Sequence, residues 1–145
     1  MPDDLNAASQ TAERPEPAVM RGVIPYLDLA GRAGEAADFY GRAFGAKDLG
    51  RMPEEGGTGR FMHVQLEVNG GALMMTDGCN SEGARAPQGF HLQLVVADGD
   101  AWWRRAVEAG CEVVMPFERM FWGDRWGLLR DPFGMQWAID EPAAA

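Results

Sequence analysis

One order of elements occurs twice in this sequence, at an almost constant spacing. Ile24 begins the apolar run "IPYLDL", and His91 begins a second, "HLQLVV", 67 residues later. Helical stretches follow each run and match Ala36 with Ala101 and Gly45 with Gly110, both 65 residues apart. A duplication with a two-residue indel requires one supersecondary unit to be built twice, which excludes most other topologies for a chain of 145 residues. That length is one ordinary domain with room for a sizeable core.

The first copy reads as strand "GVIPYLDL", then a helix around "GEAADFYGRAFG", then strands. Ala36, Phe39, Tyr40 and Ala43 share one helical face, and Gly45 suits a C-terminal cap. In "RFMHVQLEV" the side chains alternate: Met62, Val64, Leu66 and Val68 on one face, Phe61, His63, Gln65 and Glu67 on the other. Asn69-Gly70 then turns the chain into "GALMMTD". The second copy reads as strand "GFHLQLVV", helix "DAWWRRAVEAG" ending at Gly110, a short strand near "CEVVM", and a hairpin in "FWGDRWGLLRDPFGMQWAID". Asp131, Pro132 and Gly134 occupy the first, second and fourth places of a type I turn in that hairpin. A four-stranded unit has an exposed edge, and two such units side by side can form one curved sheet around a cleft.

Residues 1–20 lack periodicity and are expected to form a disordered tail, and 141–145 a short second one. The expected domain spans 21–140, with module 1 at 21–78, a linker at 79–88 and module 2 at 89–140.

Charge narrows the partners. Four acids against one arginine in the first twenty residues account for three of the nine net negative charges, so the remaining six belong to the folded part. That surface is unsuited to nucleic acid or an anionic membrane. No stretch reaches the roughly 18 apolar residues of a membrane span, and the first residues lack the order of a signal peptide, so a cytoplasmic protein is expected. Cys79 and Cys111 are too few for a disulfide framework and lack metal-binding spacing.

Candidate contact residues follow from strand parity. His63, Gln65 and Glu67 share one strand face, and His91 and Gln93 share another, so a polar lining of a cleft would use them. The same alternation describes any half-solvated antiparallel strand. Trp122 and Trp126, four apart, would face one way together with Asp124, making an aromatic wall with a counter-charge for a flat or cationic guest. Core or interface packing explains those tryptophans equally simply. Gln136 with Gln93 could hold a water.

The stretches "IPYLDLAGRAGEAADFYGRAFGA", "LMMTDG", "HLQLVVAD" and "FWGDRWGLLRDPFGMQWAI" resemble the vicinal oxygen chelate superfamily of glyoxalases, bleomycin-resistance proteins and extradiol dioxygenases, most of all its PhnB-like branch. The resemblance implies an α+β fold of tandem βαβββ modules in a curved mixed sheet, and a homodimer. Metalloenzymes of the group place ligands on the first and last strands of each module; those positions fall here on Ile24, Met74, His91 and Ala138. Only His91 offers the nitrogen or oxygen donor that such a metal needs. The expectation is therefore a metal-independent, cofactor-free protein that binds a small aromatic or cationic molecule through His63, Gln65, His91, Gln93, Trp122, Asp124, Trp126 and Gln136. The alternative is a lyase, isomerase or dioxygenase-type enzyme using a divalent metal such as Zn, Ni or Fe, with His91 as ligand and Glu67 as general base.

Overall fold

The computed structural model describes residues 19–78 and 87–144, so residues 1–18 of the expected 1–20 tail, 79–86 of the linker and 145 of the second tail lie outside the described residues. Module 1 contains β1 (Tyr26–Asp28), α1 (Ala33–Phe44), β2 (Lys47–Pro53), β3 (Phe61–Val68) and β4 (Gly71–Thr76). Module 2 contains β5 (Leu92–Val95), α2 (Gly99–Ala109), β6 (Glu112–Arg119), β7 (Arg125–Arg130) and β8 (Gln136–Glu141). Each module makes a four-stranded mixed sheet, ordered β1-β4-β3-β2 in sheet 1 and β5-β8-β7-β6 in sheet 2. The first strand of each runs parallel to the last, and the other neighbours are antiparallel.

The helices form where the sequence places one apolar stripe between defined ends. In α1 the stripe of Ala36, Phe39, Tyr40, Ala43 and Phe44 is buried, and Gly45 closes the helix at φ 66°, a left-handed conformation that costs glycine little. Asp98 caps α2 by accepting the Ala101 N–H at 3.1 Å. Asn69 and Gly70, both at positive φ, make the tight turn between β3 and β4.

The helices pack against each other, and the core runs across them from one module to the other. Tyr40 and Phe44 of α1 meet Trp137 of β8 at ring distances of 5.2 and 4.5 Å, while Arg105 of α2 donates to the Ala43 carbonyl at the end of α1. The turn after β7 takes part in this core. The Asp131 Oδ2 accepts from the Tyr40 hydroxyl at 2.6 Å and from Trp137 Nε1 at 2.9 Å. Its Oδ1 accepts the backbone N–H groups of Phe133 and Met135. A buried carboxylate with four donors is satisfied, and burial followed by this neighbouring charge pushes the Tyr40 phenol well above its ordinary range, keeping it a donor.

β1 is shorter than the eight residues of "GVIPYLDL". Pro25 has no N–H to give to a ladder, and regular pairing with β4 begins at Tyr26. No helix among the described residues is long and apolar enough to cross a membrane.

Candidate functional site

Strand alternation assigns the two faces of each sheet. Val64, Leu66, Val68, Leu73 and Met75 are buried on the α1 side of sheet 1, and Leu94, Leu129, Trp137 and Ile139 on the α2 side of sheet 2. The opposite, open faces carry the polar candidates. Sheets 1 and 2 share no ladder, so those candidates fall into two groups.

On sheet 1, His63 accepts or donates through Nδ1 to the Tyr26 hydroxyl at 2.9 Å. Gln65 is buried and donates from Nε2 to the Met20 sulfur at 3.1 Å. Glu67 stands across from Lys47 on β2 and Ala72 on β4. Within one chain Glu67 lies on sheet 1, whereas His91, expected to begin a strand, stands just before β5 of sheet 2.

On sheet 2 the polar groups converge on Gln93. Its Oε1 accepts from Trp126 Nε1 at 3.2 Å and lies 3.2 Å from His91 Nε2. An amide oxygen can only accept, so His91 donates from Nε2. Gln93 Nε2 in turn donates to Asp140 Oδ2 over a long 3.5 Å. The His91 ring meets Trp126 edge-on at 5.9 Å, and Trp126 meets Trp122 at 6.4 Å, so the aromatic wall extends from the strand toward solvent. Gln136 shares the strand parity of Ala138 and Asp140 and sits opposite Arg130.

Two expectations change in detail. Trp122 and Asp124 are not on a strand: β7 starts at Arg125, and both lie in the preceding turn, closed by the Met120 N–H on the Asp124 carbonyl at 2.8 Å. The two indoles still meet because that turn folds back over the start of β7. Asp124 is also not a free counter-charge, since its Oδ1 accepts the Ala143 N–H at 2.9 Å.

Asp140 is a site residue that sequence reasoning missed. It is 8% exposed, points to the open face beside Trp126, and its carboxyl is pushed up to about 6, first by burial and then by the neighbouring Asp124 carboxyl. The signal was available: counting from the Asp131 turn reaches Ala138, and two residues further on the same face is Asp140. Tyr26 was missed because its partner His63 is 37 residues away.

The register also tests a metal. Met74 pairs with Tyr26 and Ala138 with Gln93. A thioether and a methyl group stand at the last-strand positions, and among the described residues no three His, Cys, Asp or Glu side chains converge. This donor set does not fit a resident divalent metal. At the end of sheet 2 a recess of about 570 Å³ opens between Val95, Arg119, Gly123, Arg125, Glu141 and the backbone of 142–144.

Comparison with known proteins agrees with this architecture. Residues 29–139 match the family described as the Glyoxalase/Bleomycin resistance protein/Dioxygenase superfamily. An uncharacterized protein of Mycobacterium bovis is 38% identical over 119 residues, covering 76% of each chain. TioX from Micromonospora sp. ML1 superposes with a TM-score of 0.62 at 27% identity, covering 83% of this chain and 97% of its own. A PhnB protein from Bacillus cereus, described as a putative 3-demethylubiquinone-9 3-methyltransferase, superposes at 0.67 over 83% of this chain and 98% of its own; at 19% identity it shares the fold.

Proposed function

Because this chain belongs to the Glyoxalase/Bleomycin resistance protein/Dioxygenase superfamily, we propose that it is a metal-independent, cytoplasmic ligand-binding protein of that group. It acts as a homodimer in which sheet 1 of one protomer faces sheet 2 of the other, and each cleft so formed takes a small aromatic or cationic molecule.

The observation that carries this reading is the division of the site. Tyr26, His63 and Gln65 form one polar group on sheet 1, and His91, Gln93, Trp126 and Asp140 form another on sheet 2. Both faces turn away from the helices. Each also leaves large apolar side chains in water, among them Tyr26 and Met52 on sheet 1 and Val95 and Met115 on sheet 2. Covering them with a second copy removes apolar area from water at about 25 cal/mol per Å². Metal independence rests on the donors: Ile24, Met74 and Ala138 leave His91 alone at the four family positions.

In such a cleft Gln93 is the organising group. By holding both the His91 ring and the Trp126 indole through one oxygen, it fixes the wall against which a planar guest stacks. Native mass spectrometry of protein purified without added metal or chelator tests the reading. The expected spectrum is a metal-free dimer, with an organic adduct where a ligand survives purification. One metal per cleft would overturn it and favour the enzyme that uses His91 and Glu67.

A further inference from the structure

The open face of sheet 2 contains a pair of neighbouring carboxyls, Asp124 and Asp140. Asp140 is 8% exposed, its Oδ2 accepts a long 3.5 Å bond from Gln93, and its buried Oδ1 has no donor among the described residues. The ionisable group within hydrogen-bond reach is the Asp124 carboxyl, whose other contact is the Ala143 N–H. A buried oxygen without a donor is costly, and a second carboxylate beside it adds repulsion. One proton shared between the two relieves both costs, and a cation at the exposed side of the pair relieves the repulsion. The neighbouring arginines are engaged elsewhere: Arg125 with Asp100 and Glu141, and Arg119 with the Gly123 carbonyl.

The surroundings are those of an aromatic guest. Trp126 stands cross-strand from Asp140 and is locked by its Nε1 bond to Gln93. Trp122, half exposed, extends the wall at 6.4 Å. We propose that the Asp124–Asp140 pair and the Trp122–Trp126 wall recognise an organic ammonium ion carrying an aromatic ring, its N–H groups donating to the solvent side of the two carboxyls and its ring lying against the indoles. This rests on the reading of sheet 2 as a ligand face and names the chemical class that the face selects. A primary or secondary ammonium is preferred over a quaternary one, because carboxylate oxygens accept N–H bonds as well as attract charge.

Protons compete with such a guest. The groups facing Asp140 are Asp124 from the turn before β7, Gln93 with His91 behind it on β5, and Glu118 beside Trp126 on β6. Acidification neutralises the carboxyl pair and weakens the cation site.

The test titrates the full-length protein with benzylammonium and with its neutral isostere benzyl alcohol, following the Trp126 indole N–H by NMR. At pH 7.5 benzylammonium is expected to bind about tenfold tighter than the alcohol, an advantage that shrinks about tenfold at pH 5 as Asp140 takes up its proton. Asp140→Asn abolishes the preference while benzyl alcohol still binds. Asp124→Asn lowers the preference and serves where the first variant does not fold. Glu118→Gln keeps the pH dependence, which separates the carboxyl pair from the carboxylate beside Trp126 on β6. Equal binding of the two probes overturns the cation site and leaves the ligand face standing. Binding of neither overturns the proposal, and the mass spectrum described above then judges the ligand face independently.

Discussion

At the end of β4, the Asp77 carboxylate accepts the backbone N–H groups of Gly31, Ala33 and Phe61, tying the start of α1 to sheet 1. At the end of β8, 64 residues on, the Glu141 carboxylate accepts the Gly99 N–H and ties the start of α2 to sheet 2. In both modules a glycine in the first helical turn lies against a phenylalanine that stacks with an arginine. In module 1 Gly34 faces Phe61 under Arg51, and in module 2 Gly99 faces Phe117 under Arg125. The aromatic and the cation have exchanged strands between the copies, β3 and β2 in one against β6 and β7 in the other. A duplicated fold therefore preserves an interaction while moving its residues. The open faces preserve nothing comparable: sheet 1 offers a tyrosine, a histidine and a buried glutamine, sheet 2 a histidine, two tryptophans and a carboxyl pair. Scaffold contacts are shared and open-face contacts are not, as the proposed composite cleft with two unlike walls requires.

The sharpest break in the comparison is at the hairpin turns. Module 1 turns through exposed Asn69-Gly70, whereas the turn of module 2 buries Asp131 beneath Tyr40 and Trp137. Asp131→Ala strands two side-chain donors and two backbone N–H groups in the core. It should cost about 3 to 5 kcal/mol in urea unfolding, while Asn69→Ala costs far less.

The two helix ties should differ in proportion to the bonds they make. Asp77→Ala loses three acceptor contacts and is expected to cost about 2 to 3 kcal/mol; Glu141→Ala loses one backbone bond and the loose 3.7 Å ion pair with partly exposed Arg125 and is expected to cost about 1 kcal/mol. Equal losses would mean that the module 1 bonds are not what holds α1.

Glycine packing provides a third contrast. A Cβ at Gly99 would run into the Phe117 ring and approach Glu141 to 3.0 Å, whereas one at Gly34 meets the Phe61 ring edge at 2.8 Å with its next contact at 3.5 Å. Gly99→Ala should destabilise by about 2 kcal/mol and Gly34→Ala by about 1 kcal/mol, measured by thermal unfolding.

The last effect is a gain. Asp140 has its folded pKa raised to about 6 from an ordinary value of 3.8, so the folded state binds the extra proton between these values. Its contribution is neutral at low pH and becomes a growing penalty as pH rises through that window. Asp140→Asn should therefore match the parent at pH 4 and exceed it by about 1 to 2 kcal/mol at pH 7.5. A variant that is less stable at both values would contradict the assignment.

The sequence made the scaffold legible wherever periodicity and turn chemistry agreed. The stripe of α1, the alternation of β3, the Asn69-Gly70 turn and the Asp131 turn all read correctly because each signal is local. β2, "KDLGRMP", carries no apolar alternation and exists as an edge strand only through its irregular ladder with β3. The candidate residues of sheet 2 were legible in part: parity found His91, Gln93 and Trp126, and counting stopped one step short of Asp140. The burial of Asp131 was not legible, because its partner Tyr40 lies 91 residues away on a helix of the other module. Nor does a single sequence show that the helices stand between two separate sheets, which divides His63 and Gln65 from His91 and Gln93.

That division makes the composite cleft the central claim. The direct measurement mixes protomers carrying ¹³C-methyl methionine with protomers carrying ¹⁵N-labelled tryptophan and records isotope-filtered NOEs between them. Contacts from the Met52 or Met74 methyls of one protomer to the Trp122 or Trp126 indole of the other are the predicted result. A monomer, or a dimer in which those groups show no contact across the interface, would contradict it.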